Sequence, residues 1–569
     1  MTAPPRPAPF SILRLAPALT LALLLAPVAL GLAWTLLPAF GYLPAIGGER
    51  LGLQSWRALF AAPGFGTALR LTLVSGMLTS AMALLIASGF CAWRATRPGR
   101  RALDRFLAPL MGSPHSAVAL GLAFLILPSG WLVRLVSPWL TGFDQPPASL
   151  VTVQDPWGLS FVLGLLVKEV PYLVLMIIAA SAQVPVERSL ATARALGQRG
   201  AVAWLKTVFP QIYPQIRLPV FAVLAFSLSA VDVGLILAPG NPPPLALLAA
   251  RWFANYDLTL YFPAAAAASL QLAIALAAIA LWYGAEKTIA ALGRRWIERG
   301  AADRGAGWTL GGLSAVALAF GALGLLALAV MALWSFAGAW LFPDALPQRF
   351  TMDNWTAQLD RVGVTAGATL AVGLIAVAIA VALALACLEN EQRRGLRPGA
   401  GALWLLYLPL LVPQIAFLFG VQGLLIRLGI DGTVAGVVWA HLVFVLPYVF
   451  LSLADPYRAL DPRYAASAAA LGATPLRIFL TVKLPILLRP ILVAVAVGFA
   501  VSVAQYLPTL FAGAGRVATL TTEAVTLAGG ADRRVIGVFV VLQTALPMIV
   551  YGLAIGLPRL AYRHRRALR

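Results

Sequence analysis

The chain has 569 residues, of which 61% are apolar and 11% charged, against roughly 25% charged in an ordinary soluble protein. So few charges cannot hydrate a chain of this length, which excludes a water-soluble globule and makes a lipid bilayer the main solvent. The net charge of +21 suggests nucleic acid, but the basic residues come in short bursts between apolar runs: Arg94 to Arg105, Arg294 to Arg299, and Arg559 to Arg569. That is the pattern of loops held on the cytoplasmic side of a membrane, and no nucleic-acid partner is expected.

In chain order, apolar runs long enough to cross about 30 Å of hydrocarbon begin near Leu15, Leu69, Leu107, Leu159, Leu218 and Phe262. Six more begin near Leu310, Thr369, Leu403, Val434, Pro490 and Val535. The first, Leu15 to Phe40, exceeds a signal-peptide core and is read as a helix. Twelve spans bring both termini to one side. Placing them in the cytoplasm puts about three times as many Lys and Arg on the inner side as on the outer, which fixes the expected orientation.

Two stretches repeat. Leu190-Ala-Thr-Ala-Arg-Ala-Leu-Gly197 is followed thirteen residues later by Pro210, and Ala465-Ala-Ser-Ala-Ala-Ala-Leu-Gly472 by Pro485 at the same spacing, an offset of 275 residues. Each copy carries an aromatic residue, Trp204 or Phe479, and a lysine, Lys206 or Lys483. Pro171-Tyr172 and Pro447-Tyr448 recur in the fourth spans, Ser113-Pro-His115 and Val412-Pro-Gln414 in the third, and Cys91 and Cys387 end the second. The expected fold is therefore all-α and integral to the membrane. About twelve helices form two parallel six-helix repeats, 1–300 and 301–569, joined by a basic linker. The two cysteines are too few for a disulfide framework and read as small core residues.

The repeated loops, 185–215 and 458–490, resemble the EAA signature of ABC importer permeases: Glu-Ala-Ala, three residues, Gly, nine residues, then Ile-x-Leu-Pro. Ala193, Gly197 and Pro210 match in the first copy, and Ala468, Gly472, Leu484 and Pro485 in the second. Ala191 and Ala466 stand where the family has glutamate, and Thr192 and Ser467 replace the next alanine. The whole arrangement is similar to the fused permeases of the thiamine and ferric-iron importer class. Within it, Val501-Ser-Val-Ala-Gln-Tyr-Leu-Pro-Thr-Leu510 and Thr519 to Val525 look most like the Ynj-type permeases. The resemblance implies an inner-membrane importer subunit whose two loops are coupling helices. They would dock on a separate nucleotide-binding subunit, a homodimer, while a substrate-binding protein works outside.

The four lysines offer no Walker A loop: Lys206-Thr207 has Gly200 in place but Leu205 where the second glycine is needed. No cofactor is therefore expected in this chain, ATP being bound by the partner. His115, His441 and His564 lack metal-ligand spacing, so neither catalysis nor a metal site is expected. Ionisable and polar residues inside spans are costly and mark pathways or internal pairing, which singles out Lys168, Glu169 and Asp232. Adjacent Lys168 and Glu169 point about 100° apart on a helix and need other partners. Aligning Phe226 with Phe499 sets Asp232 opposite Gln505, and aligning Pro210 with Pro485 moves that register by two. His115 and Gln414, beside breaking prolines, complete the candidates for a translocation path. The alternatives are an ion-coupled secondary transporter of 6+6 layout and a scaffolding membrane protein; the paired loops argue against the first and the buried charges against the second.

Overall fold

The computed structural model describes residues 12–95, 109–198, 200–298, 306–396 and 399–561. Arg97 to Arg105, Leu107, the linker from Arg299 to Arg304, and Arg563 to Arg569 with His564 lie outside the described residues. The chain is all-α and integral to the membrane. Among the described residues ten helices are long and apolar enough to span a bilayer, or twelve if each of two bent pairs is one span. Helices dominate because hydrocarbon offers no partner for backbone amides and carbonyls, and a helix satisfies them within itself.

In the first half, α1 (Ala16–Ala39) leads through a two-stranded hairpin, β1 (Tyr42–Leu43) and β2 (Gly48–Glu49), and α2 (Gln54–Ala61) to α3 (Phe65–Ala95). Next come α4 (His115–Ile126), α5 (Leu159–Ser181), α6 (Val186–Ala195), α7 (Gly200–Thr207) and α8 (Phe209–Ser229). The half closes with α9 (Val231–Leu237), α10 (Leu245–Phe253) and α11 (Tyr261–Glu298). The second half runs α12 (Ala306–Phe336), α13 (Leu359–Arg394), α14 (Ala400–Leu411), α15 (Ile415–Leu428), α16 (Val434–Arg458) and α17 (Pro462–Ala470). It ends with α18 (Pro475–Ile478), α19 (Leu488–Val503), α20 (Leu507–Gly513), α21 (Leu520–Leu527) and α22 (Arg533–Ala561).

Local chemistry sets many of these boundaries. Asp461 accepts the Arg463 amide at 2.9 Å ahead of Pro462, and Thr474 accepts that of Arg477 ahead of Pro475, so α17 and α18 begin where a capping side chain meets a proline. The third spans break before Pro114 and Pro413, the second-half break bending the chain by 93°. α13 begins at Leu359, ahead of the expected Thr369, because Asp360 and Arg361 are exposed at the membrane edge and extend the helix without entering the apolar layer.

The fifth spans depart from expectation. Instead of one helix from Leu218, α8 starts at Phe209 and stops at Ser229, extended Ala230 (φ −67, ψ 104) intervenes, and α9 follows. In the second half, α19 and α20 are separated at Ala504–Tyr506, where Pro508 in the first turn of α20 lacks the amide that would continue the ladder. One helix beyond each break, a threonine on the second span holds the start of α10 or α21. Thr72 accepts the Leu245 amide at 2.8 Å, and Thr369 accepts the Leu520 amide at 2.9 Å. The two anchored residues are 275 apart.

The first helix of each half is exchanged. α1 lies against α13, α15 and α16 of the second half, while α12 lies against α3, α4 and α5 of the first. Both crossings pass backbone on backbone. A Cβ on Gly420 would come within 2.0 Å of the Gly31 carbonyl oxygen, and one on Gly121 within 2.2 Å of the Ala327 carbonyl oxygen. The apolar core is continuous through the junction of the halves, and a further cluster packs each half at the end that carries the repeated loops.

At the opposite end, buried Asp155 starts α5 by accepting the amides of Trp157, Leu159 and Ser160 and the Ser160 hydroxyl. Burial pushes its pKa up, but these donors together outweigh burial and hold the carboxyl below its ordinary value. A depressed acid contributes stability above its unfolded pKa and loses it as pH falls through the lower folded value. Asp155→Ala is therefore expected to cost about 1–2 kcal/mol at neutral pH and progressively less toward pH 3, measured as detergent-solubilised melting temperature against pH. A constant difference across that range would refute the assignment.

Candidate functional site

Two sets of residues stand out, the duplicated corners at one end of the bundle and a polar cluster where the halves meet. Each corner ends its helix in a Schellman motif. In the first, the Gly197 amide donates to the Arg194 carbonyl at 3.0 Å and the Gln198 amide to that of Ala193 at 2.9 Å. In the second, Gly472 donates to Ala469 at 2.9 Å and Ala473 to Ala468 at 3.1 Å. Gly197 has φ +81 and Gly472 φ +80, the left-handed region that glycine enters without strain. Neither would bring a Cβ within 4 Å of another atom, so the demand for glycine there is one of backbone conformation, not of space.

Ala193 and Leu190 are buried on the inward face of α6 while Ala191 is exposed; on α17, Ala466 is exposed and Ala468 half-buried. Trp204 is fully buried and its ring lies 5.9 Å from that of Phe209, whereas Phe479 is half-buried and opens a π-helical turn, Phe479–Lys483. Pro210 and Pro485 each sit in the first turn of a helix, where a missing amide costs nothing. At the tips Leu196 is 76% and Leu471 88% exposed, a pair of apolar side chains held outward beside the two glycines.

Where the halves meet, the Lys168 ammonium donates to the Ser113 carbonyl at 2.7 Å and to that of Leu110, capping the chain end that Pro114 releases. Glu169 turns the other way and lies 3.3 Å from His115 Nε2. The neighbours therefore serve different partners, as their angular separation requires. The His115 ring is 4.6 Å from that of Phe226 and within electrostatic reach of Asp232. Asp232 stands in the first turn of α9, its carboxylate close to the backbone amide of Val233. Gln414 precedes α15, and its carbonyl accepts the Leu418 amide at 3.0 Å.

Tyr172 and Tyr448, the repeated Pro-Tyr residues, come together with Tyr407 around Glu169, and Tyr506 lies near Asp232. Both halves thus supply the cluster. Leu245 and Leu520, the residues the threonines anchor, keep the 275-residue register through the fifth-span breaks, so Gln505 corresponds to Ala230, and Asp232 to Leu507. Alignment on the phenylalanines is two residues off. Buried His441 spans the second break, 2.8 Å from both Ser502 on α19 and Thr509 on α20. The Thr509 hydroxyl donates to the Gln505 carbonyl, so His441 Nε2 must carry the proton and Nδ1 must accept from Ser502.

Tyr407 left no sequence signal; Tyr506 stood out only within the Val501–Leu510 segment, and His441 only as a histidine without metal-ligand spacing, since none of the three lies in a repeated motif. Tyr172 and Tyr448 left one, the recurring Pro-Tyr pair. Among the described residues no group of three or more His, Cys, Asp or Glu is arranged to hold a metal ion.

A helical bundle of ten to twelve spans with duplicated corner loops and a polar junction between its halves is a multi-pass membrane permease. The chain is 32% identical over 506 residues to the inner membrane ABC transporter permease protein YnjC of Escherichia coli (strain K12), an alignment covering 88% of this chain and 90% of that one. It belongs to the ABC transporter permeases and is an inner-membrane protein. A shorter similarity, 30% identity over 184 residues, links 30% of the chain to 67% of the molybdenum transport system permease protein ModB of Mycobacterium tuberculosis (strain ATCC 25618 / H37Rv). No protein-family model matches the chain.

Proposed function

We propose that this chain supplies both halves of the membrane pathway of an importer driven by ATP hydrolysis in a separate subunit. Two copies of that subunit dock on the corners at Gly197 and Gly472, at the cytoplasmic face with both termini, and a substrate-binding protein delivers solute from outside. The chain itself binds no nucleotide or other cofactor. The observation that carries this reading is the pair of equivalent, outward-facing corners, each presenting an exposed leucine beside a left-handed glycine. A connector between spans needs no such duplication, and an exposed apolar tip fits a partner's groove. Glu169, Asp232, His115, Gln505 and Gln414 border the solute's route between the halves, and Lys168 holds the broken third span open beside it.

The test is co-expression with an ABC ATPase subunit from the same genome. The ATPase should co-purify with the full chain and be lost from a Leu196→Asp, Leu471→Asp variant that still inserts; the isolated chain should hydrolyse no ATP. Ion-gradient-driven uptake by vesicles containing the chain alone would overturn the reading in favour of a secondary transporter.

A further inference from the structure

The two corners are rooted differently. In the second half the carboxylate of Glu389, on the last turns of α13 and 4% exposed, is a hub. Its Oε2 accepts from Lys483 Nζ at 2.6 Å and from the Tyr457 hydroxyl, and its Oε1 from Arg393 Nε at 2.6 Å. Lys483, 5% exposed, also donates to Gln392 Oε1 at 2.7 Å. Arg393 reaches on to the Pro475 carbonyl at 3.2 Å. In the first half, the 275-residue register puts Val208 at the place of Lys483, and the Thr72–Thr369 correspondence puts Ala92 at the place of Glu389. Both are fully buried in one apolar cluster, and the lysine of the first copy, buried Lys206, instead donates to Gln198 Oε1 at 3.4 Å within its own corner and lies over the Trp296 ring.

The hub grips a lever. Residues Pro475–Ile486 run from the Gly472 corner to Leu487, where they meet α19 at 74°. Lys483 ends the π-helical turn about one helical turn before that pivot, and Pro475 lies at the far end of the lever. Both ends are therefore tied to α13. At its other end α13 holds α21, through Thr369 on the Leu520 amide and through an ion pair between Arg361 and Glu523. Apolar contact is non-directional and slides, whereas a buried, multiply bonded carboxylate fixes register and is costly to leave unpaired.

We propose that Glu389 is a positioning residue that makes α13 a rod between the second corner and α21, so that motion of that corner is carried along α13 as well as through the pivot into α19. The first corner has no such carboxylate hub on its second span among the described residues, and the two corners act unequally on the pathway. This rests on the coupling role proposed above.

The experiment uses the full chain assembled with its ATPase subunit, with Mg-ATP and vanadate as probes. Spin labels at Arg477→Cys on the lever and Leu359→Cys at the far end of α13 report their separation before and after vanadate trapping. With the hub intact the separation should stay constant. In Lys483→Met, which leaves Glu389 bonded to Arg393 and Tyr457, it should change on trapping, and ATP turnover in the complex should fall about tenfold, with Lys483→Arg recovering most of it. Glu389→Gln leaves the buried Lys483 ammonium without its carboxylate beside the exposed Arg393, so the Glu389→Gln, Lys483→Met double variant is the second measurement and should behave like Lys483→Met.

An unchanged separation and unchanged turnover in these variants would overturn the proposal. Loss of ATPase binding by folded Lys483→Met would overturn it too, because the hub would then set the corner's shape and not carry its motion. Failure of the ATPase to bind the unmutated chain would instead overturn the coupling reading on which the proposal rests.

Discussion

Gly420→Leu is expected to prevent the two halves from assembling. At the α1–α15 crossing a Cβ on Gly420 would stand 2.0 Å from the Gly31 carbonyl oxygen, and one on Gly31 would stand 2.5 Å from that of Phe417. These obstacles are backbone, so no rotamer change relieves them. The Gly420 amide also donates to Thr35 Oγ1 at 3.2 Å, a bond that requires the same close approach. Association of helices in lipid rests on close packing, because lipid is as apolar as the side chains it replaces. Overpacking alone costs about 1–3 kcal/mol where side chains can yield and more where backbone must move. Monodisperse yield after solubilisation should collapse for Gly420→Leu and for Gly121→Leu at the related crossing, while Gly363→Leu, where a Cβ meets nothing within 4 Å, should leave it unchanged. Normal yield and melting temperature in Gly420→Leu would mean that α1 does not cross α15 there.

Replacing both corner glycines is expected to act on function and spare the fold. A β-branched residue at φ near +80 costs about 1–3 kcal/mol of local strain, and at Gly197 and Gly472 no neighbour adds to it. That is enough to shift each corner out of the left-handed turn and to release the Schellman bonds to Ala193 and Ala468, but too little to unfold a bundle of ten or more spans. The Gly197→Val, Gly472→Val variant should insert and purify like the parent and lose ATPase binding or ATP-driven uptake. Gly472→Val should be the more damaging single change, because the second corner leads into the lever held by Glu389. Normal uptake by the double variant would reduce both loops to connectors.

These effects differ in how far they could be read before the structure was known. The corners were legible because a left-handed turn is a local demand that glycine answers, and because it occurs twice at one spacing. The bend at Pro413 and the N-terminus of α4 at His115 were legible for the same reason, since proline acts on its own backbone. Lys168 and Glu169 were visible as a problem, two charges in an apolar helix with divergent directions, but not as a solution. Their partners at Ser113 and His115 sit more than fifty residues away and are defined only by packing.

The sequence by itself determined the solvent, the approximate number of crossings, the duplication and the two corners, because hydropathy, helix period and backbone preference are properties of short segments. Only the tertiary structure decided the exchange of α1 and α12, the break at Ala230 where neither glycine nor proline stands, the register that separates Asp232 from Gln505, the tautomer of His441 and the grip of Glu389 on Lys483. Each of these depends on atoms that distant segments bring together, and in a membrane, where every span is apolar, the choice of partner falls to close backbone approach and to the few polar groups that must find one another.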